Sequence, residues 1–213
     1  MNIQLIEIGH MAQAIGDELA ILDVLGRCRL TSSRLDLSAI HPEAEAWVLL
    51  SDHPCIGICE TLADEAVRRD RLFVPVVLDY PHLTIGPVHK PGYEGCYHCF
   101  QQRLAQHNPV PAVSRAVQEY YATNIGQAPY GYHPSDVTFI AHWLTYHISK
   151  GFTDLLGKAV RMNMASRESA SARIIGVHGC VRCGTRIPEE ARSYRSLLTL
   201  IQALGSKRGE LIG

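Results

Sequence analysis

The chain has 213 residues, of which 46% are hydrophobic and 19% are charged, a balance that is typical of a folded globular protein and excludes a disordered one. Its 20 basic and 21 acidic residues leave a formal net charge of −1, so charge gives no reason to expect nucleic acid or an anionic membrane as a partner. The N-terminal sequence has no export signal, and no apolar run reaches the roughly 18 residues of a membrane span, which predicts a cytoplasmic protein.

Strands and helices alternate in the first part of the chain. Alternating apolar residues predict a strand at 2–8, and short apolar runs predict strands at 46–51 and 72–78. Residues at helical spacing predict a helix at 11–25, and a polar-rich stretch predicts a second helix at 61–71. Such alternation is typical of an α/β fold with a parallel sheet, covered on both faces and joined by right-handed crossovers.

The pattern changes after this region. A strand at 82–89 leads through turn-forming residues to Cys96-Tyr97-His98-Cys99, which we expect on a tight loop. Later elements are helices at 99–106, 112–125 and 136–156, hairpin strands at 160–166 and 172–177, and a C-terminal helix at 188–204 with a tail. The length predicts a single domain, 1–213, whose parts are a core at 1–90, a cysteine-containing helical and hairpin part at 91–187, and a C-terminal helix and tail at 188–213.

Two Cys-x-x-Cys pairs carry the strongest chemical signal. Cys96 and Cys99 form the first pair, and Cys180 and Cys183 form the second, with glycines beside each pair that allow the backbone to bend. The chain has seven cysteines, an odd number, and without an export signal they favour thiols or metal ligands over disulfides. Because four thiolates are the tetrahedral donor set of a closed structural site, we predict structural Zn²⁺ at these residues.

Other roles for the cysteines and their neighbours remain open. Either Cys-x-x-Cys pair could be a redox motif, and His98 or His178 could replace a thiolate as a zinc ligand. The Cys55-x-x-x-Cys59 spacing is compatible with a second metal site or a reactive thiol, although packing is the commoner role of such residues. Cys28 is expected to pack in the interior.

The sequence offers few other candidates for catalysis. Residues 9–16 lie where a dinucleotide-binding fold has its glycine-rich turn, yet Gly-x-Gly-x-x-Gly is absent, which argues against nucleotide binding. Asp52 and Asp79 end predicted strands, where open sheets collect ligand-binding groups, but capping a loop is the commoner role of a single Asp. His142 and His147 on the long helix are expected to face solvent or a partner.

One block of the sequence resembles a known family. The run LTIGPVHKPG at 83–92, followed by Cys96, Cys99 and Arg103, resembles the E1-like (ThiF-related) proteins of azole peptide biosynthesis. These are the cyclodehydratase C components and Ocin-ThiF-like partners of thiazole/oxazole-modified microcin pathways. The later HGCVRCG, at 178–184, resembles their second zinc knuckle. The resemblance implies a reduced Rossmann-like (ThiF/E1-like) parallel sheet with a zinc knuckle pair, in which the four cysteines are the ligands.

The resemblance also implies a role. Such proteins are non-catalytic scaffolds that bind a ribosomal precursor peptide and the ATP-using YcaO enzyme, which cyclises Cys, Ser or Thr side chains to azolines. E1-like folds often form homodimers, so the resemblance implies this assembly as well. Family members also have an N-terminal winged-helix module that captures the leader peptide by strand addition, whereas this chain begins at its first predicted strand.

Two alternative functions remain open at this point. One is an E1-like, ATP-dependent adenylyltransferase that activates a carboxylate, with Asp52 near the metal and nucleotide and with Cys55 or Cys59 as a thiol acceptor. The other is a zinc-stabilised interaction module in an unrelated pathway.

Overall fold

The computed structural model describes residues 1–19, 24–31, 35–125, 127 and 131–184, together with Leu198. The strands are β1 (Ile3–Ile8), β2 (Val24–Arg29), β3 (Ala46–Ser51), β4 (Leu72–Asp79), β5 (His82–Ile85), β6 (Lys158–Asn163) and β7 (Ser169–Arg173). The helices are α1 (His10–Leu19), α2 (Ile56–Arg68), α3 (Tyr97–Gln106), α4 (Pro111–Thr123) and α5 (Pro134–Ser149). Apart from Leu198, the C-terminal helix predicted at 188–204 lies outside the described residues.

Seven strands form one mixed sheet, in the order β2-β1-β3-β4-β5-β6-β7. The strands from β2 to β4 are parallel, and β5, β6 and β7 pair antiparallel, so the prediction of a parallel sheet holds for only part of it. The change follows from the connection after β4. Only Tyr80 and Pro81 separate β4 from β5, and a link this short permits a hairpin but not the crossover that a parallel strand needs.

Several predicted boundaries are wrong. The helix predicted at 11–25 ends at Leu19, and β2 follows it. Because β2 is an edge strand whose residues stay partly exposed, it tolerates Gly, Cys and Arg and shows no strand periodicity. The long helix α5 ends at Ser149 because Gly151 and Phe152 adopt the left-handed conformation. α2 begins at Ile56, one turn earlier than expected.

The sheet is covered on both faces. One core lies between the sheet and helices α1 and α5, and a second core lies on the face covered by α2. Every residue of β1 and β3 is buried, which agrees with strands in the middle of a doubly covered sheet. Three of these buried side chains are polar, those of Gln4, Glu7 and Ser51.

Within the described part of the chain, no helix has both the length and the apolar character needed to cross a membrane.

Candidate metal centre

The first cysteine pair lies at the start of a helix, which corrects the expectation of a tight loop. Cys96 is the N-cap of α3 and Cys99 lies in the first turn of that helix. Gly95 precedes them with a φ of +82°, and a side chain at this position would collide with the carbonyl oxygen of Ile174. Glycine therefore permits the close approach between the start of α3 and the segment that follows β7.

The second pair lies on the turn that this segment makes. The N–H of Cys180 donates to the carbonyl oxygen of Val177 at 3.1 Å, and the N–H of Gly184 donates to the carbonyl oxygen of Cys180 at 2.9 Å. Val177 also donates its own N–H to the sulfur of Cys99 at 3.2 Å. An N–H···S hydrogen bond favours the thiolate form of a cysteine, and here it joins parts of the chain that are 78 residues apart.

The sulfur atoms of the two pairs form one cluster. The Sγ–Sγ distances are 3.7 Å for Cys96–Cys99, 3.8 Å for Cys96–Cys180 and 3.6 Å for Cys99–Cys183. All four ligand atoms lie within 4.8 Å of one another. These distances exclude disulfides, whose sulfur atoms are about 2 Å apart. A tetrahedron of sulfurs about 2.3 Å from a central ion has edges of about 3.8 Å, so the four residues are close enough to hold one metal ion.

Burial shapes the electrostatics of this cluster. Cys96, Cys99 and Cys180 are buried, and Cys183 is half-buried. Burial raises the pKa of Cys99 to about 11 and raises the pKa of Cys96 still further. The cluster therefore holds thiolates only when a cation compensates their charge, so that binding of a metal ion releases protons.

Acidic side chains on α2 contact a residue within each of the two cysteine pairs. The ring Nδ1 of His98 lies 3.5 Å from the carboxylate of Glu60, and Arg182 lies 3.5 Å from the same carboxylate and 3.3 Å from that of Asp64. The other ring nitrogen of His98 contacts Gln102 at 2.8 Å. His98 thus faces α2 and Gln102 rather than the sulfur atoms. Sequence reasoning missed this contact, because Glu60 is one of several acidic residues on a polar helix.

The carboxylate of Asp52 caps helix α1 from a neighbouring strand end. It accepts hydrogen bonds from the N–H groups of Met11 at 2.9 Å and Ala12 at 2.8 Å, so Asp52 caps the N-terminus of a helix rather than the loop considered for it. Gly9 has a φ of +94°, and a Cβ atom there would overlap this carboxylate. Burial raises the pKa of Asp52 and outweighs the two hydrogen bonds, which act in the opposite direction.

The remaining cysteines lie apart from the cluster. Cys55 is the N-cap of α2, and Cys59 follows one turn later with its sulfur 3.7 Å from that of Cys55. Both are buried, whereas Cys28 on β2 is half-buried. Among the described residues, only Cys96, Cys99, Cys180 and Cys183 form a group of three or more potential metal ligands.

The other predicted candidates are scattered. Asp79 is exposed at the end of β4. His142 is also exposed, and its ring Nδ1 lies within hydrogen-bond distance of the carbonyl oxygen of Thr138, at 2.8 Å. The expectation of an outward-facing His147 is wrong, because this residue is 7% exposed and its Nδ1 lies 3.3 Å from the carboxylate of Asp154. No two of Asp79, His142 and His147 share a site.

No protein-family model matches the chain, and no curated protein matches it. The fold, in contrast, belongs to a class that solved heterocyclase and microcin synthetase structures share. The heterocyclase TruD is 19% identical, with a TM-score of 0.56 over 86% of this chain and 27% of that chain. A chain of the E. coli microcin synthetase McbBCD complex is 11% identical, with a TM-score of 0.63 over 84% of this chain and 67% of that chain.

A third similar structure is that of E. coli MccB bound to AMPCPP and MccA. It is 13% identical, with a TM-score of 0.59 over 86% of this chain and 66% of that chain. At these identities the likeness establishes the fold alone. The chain spans about a quarter of the length of the heterocyclase chains that it matches.

Proposed function

We propose that this protein is a zinc-stabilised, E1-like scaffold subunit of a YcaO-type cyclodehydratase that forms azolines in a peptide. One observation carries the proposal: the sulfur atoms of four cysteines lie within 4.8 Å of one another, in a fold that heterocyclase and microcin synthetase structures share. The ion we assign to Cys96, Cys99, Cys180 and Cys183 is Zn²⁺, because four thiolates in a closed site are its usual structural ligands. A closed site holds the fold and offers no position to a substrate.

A surface on α4 supports the scaffold role. This helix buries none of its side chains within the described part of the chain. Val113, Val117 and Tyr120 are 60%, 37% and 52% exposed, and their spacing places them on one face of the helix. A row of exposed apolar side chains marks an interaction surface. We assign this row to the docking of the YcaO enzyme, with the precursor peptide as a second partner and a homodimer as the proposed assembly.

Reconstitution tests the proposal. Azoline formation by a purified YcaO enzyme on its precursor peptide is expected to need this protein, and Val113→Asp is expected to weaken the effect by placing a charge on the apolar row. Arg115→Gln, on the same helix but outside the row, is the matched control. If omission of the protein leaves the rate of azoline formation unchanged, the proposal is wrong.

A second candidate function is ATP-dependent adenylation of a carboxylate. It is favoured by the likeness to MccB, which was solved with AMPCPP. The N-terminus of α1 argues against it, since the helix amides that could bind a phosphate already donate to Asp52. A phosphate entering there would also meet the charge of that carboxylate.

Calorimetric titration with ATP and Mg²⁺ separates the two functions. We expect no binding heat from the zinc-loaded protein, because the Asp52 carboxylate occupies the helix N-terminus. The control is MccB under the same conditions. A saturable heat change with the present chain would favour adenylation over the scaffold role.

A further inference from the structure

Two buried thiols face each other at the start of α2, outside the four-cysteine cluster. Cys55 precedes the helix and Cys59 lies one turn into it, and the N–H of Cys59 donates to the carbonyl oxygen of Cys55 at 3.0 Å. Their sulfur atoms are 3.7 Å apart. Residues four apart in a helix have Cα atoms about 6 Å apart, which is within the range that a disulfide spans.

The two thiols differ in their access to solvent. Cys59 is fully buried, whereas Cys55 is 7% exposed. Cys55 also lines two cavities, of about 650 Å³ and about 540 Å³, which lie between α2 and α4 and beside the ends of β4 and β5. A small molecule in either cavity would meet Cys55 before it could reach Cys59.

The two thiols also differ in their readiness to react. Cys55 sits at the positive end of the α2 dipole, and its side chain makes no capping hydrogen bond to the start of the helix. The hydrogen bond from Cys59 lowers the pKa of Cys55, although burial opposes this effect. Burial raises the pKa of Cys59 well above its ordinary value. Cys55 is therefore the attacking nucleophile of the pair. Cys59 stays protonated until the second step, in which it acts as the resolving thiol.

We propose that Cys55 and Cys59 form a redox-active dithiol, in which Cys55 attacks a small organic disulfide and Cys59 resolves the product. In the first step the Cys55 thiolate bonds to one sulfur of the disulfide and expels the other sulfur as a thiolate. In the second step Cys59 loses its proton to that thiolate and attacks the sulfur of Cys55, which releases the second half of the reagent. The protein loses two electrons to form one disulfide, and the reagent gains them to form two thiols.

The proposal is independent of the scaffold role and of the metal centre. The resulting cross-link would change the wall that both cavities share, because Cys55 belongs to both. Reversible oxidation would thus alter what the cavities accept without displacing a zinc ligand.

Oxidised glutathione, added to the zinc-loaded full chain, tests the proposal by peptide mapping and mass spectrometry. The wild-type protein is expected to form a Cys55–Cys59 disulfide, and Cys59→Ser is expected to stop at glutathione bound to Cys55. Cys55→Ser should leave Cys59 unmodified. Cys28 is the internal control: burial raises the pKa of this more exposed thiol, so Cys55 should react faster than Cys28.

Unchanged zinc content and an unchanged melting temperature will show that each variant is folded, and Cys59→Ala provides a second variant that should also stop at the mixed disulfide. Modification of Cys28 ahead of Cys55 would overturn the proposal. So would a wild-type protein that ends with glutathione on Cys55 and forms no internal disulfide.

Discussion

Cys99→Ser is expected to abolish metal retention and to unfold the part of the chain that the two cysteine pairs join. Cys99 is fully buried, contacts Cys183, and accepts a hydrogen bond from the N–H of Val177, so its sulfur takes part in two of the contacts that join the two segments. Apparent binding free energies for structural zinc are about 10–16 kcal/mol, which is as large as the whole unfolding free energy of a typical domain. Metal analysis of the purified protein and thermal unfolding measure the two effects.

The half-buried Cys183 offers a graded comparison. Because solvent reaches this residue, water can take the place of its sulfur, and Cys183→Ser should retain more metal than Cys99→Ser. Cys28→Ser makes the same chemical change outside the cluster and should alter neither the metal content nor the melting temperature. Full metal content in Cys99→Ser would refute the four-sulfur site.

The cysteine cluster could be anticipated because its chemistry is local. A Cys-x-x-Cys pair beside glycine is visible within a few residues, and two such pairs provide a complete donor set. The partners that support the pairs could not be anticipated in this way. Glu60 contacts both His98 and Arg182, and these three residues meet only after α2, α3 and the last turn have packed.

The same distinction, between a local sequence signal and contacts that form only in the folded chain, explains which strands could be predicted. Strands β3 and β4 were predicted because burial on both faces gives continuous apolar runs, and β1 was predicted because its apolar residues alternate. The edge strand β2 lacks such a run, so its first two residues were assigned to a helix and its remaining residues to no element. The role of Cys55 was left open because its position at the start of α2 depends on a helix that begins at Ile56, one turn before the predicted start.

The charged group that sequence reasoning overlooked most clearly is Glu7 in the central strand β1. Its side chain is fully buried, and a Cβ atom on Gly16 of α1 would overlap its carboxylate, so the helix packs directly onto this charge. Arg27 on β2 lies 2.6 Å from the carboxylate, and Arg29 lies 3.4 Å from it. Only the pairing of β1 with β2 brings these charges together, and β2 was itself unpredicted.

Arg27→Met is therefore expected to destabilise the protein by about 2–3 kcal/mol, less than the upper range for a broken buried pair because Arg27 is itself 24% exposed. The loss arises because Glu7 keeps its burial and retains only the longer contact with Arg29. Denaturant unfolding measures the change. Arg68→Met removes an exposed partner of Glu65 and, as the matched control, should change the unfolding free energy by no more than about 0.5 kcal/mol.

The double variant Glu7→Gln with Arg27→Met distinguishes an unpaired charge from lost packing. If the cost comes from the buried charge of Glu7, neutralising that charge should recover more than half of the stability lost in Arg27→Met, since a neutral amide carries a much smaller desolvation penalty. If the cost comes from the aliphatic part of Arg27, the two changes should add instead. If the losses of unfolding free energy in Glu7→Gln and Arg27→Met simply add, the cost does not come from an unpaired charge on Glu7. The proposed dependence of buried Glu7 on Arg27 would then be wrong.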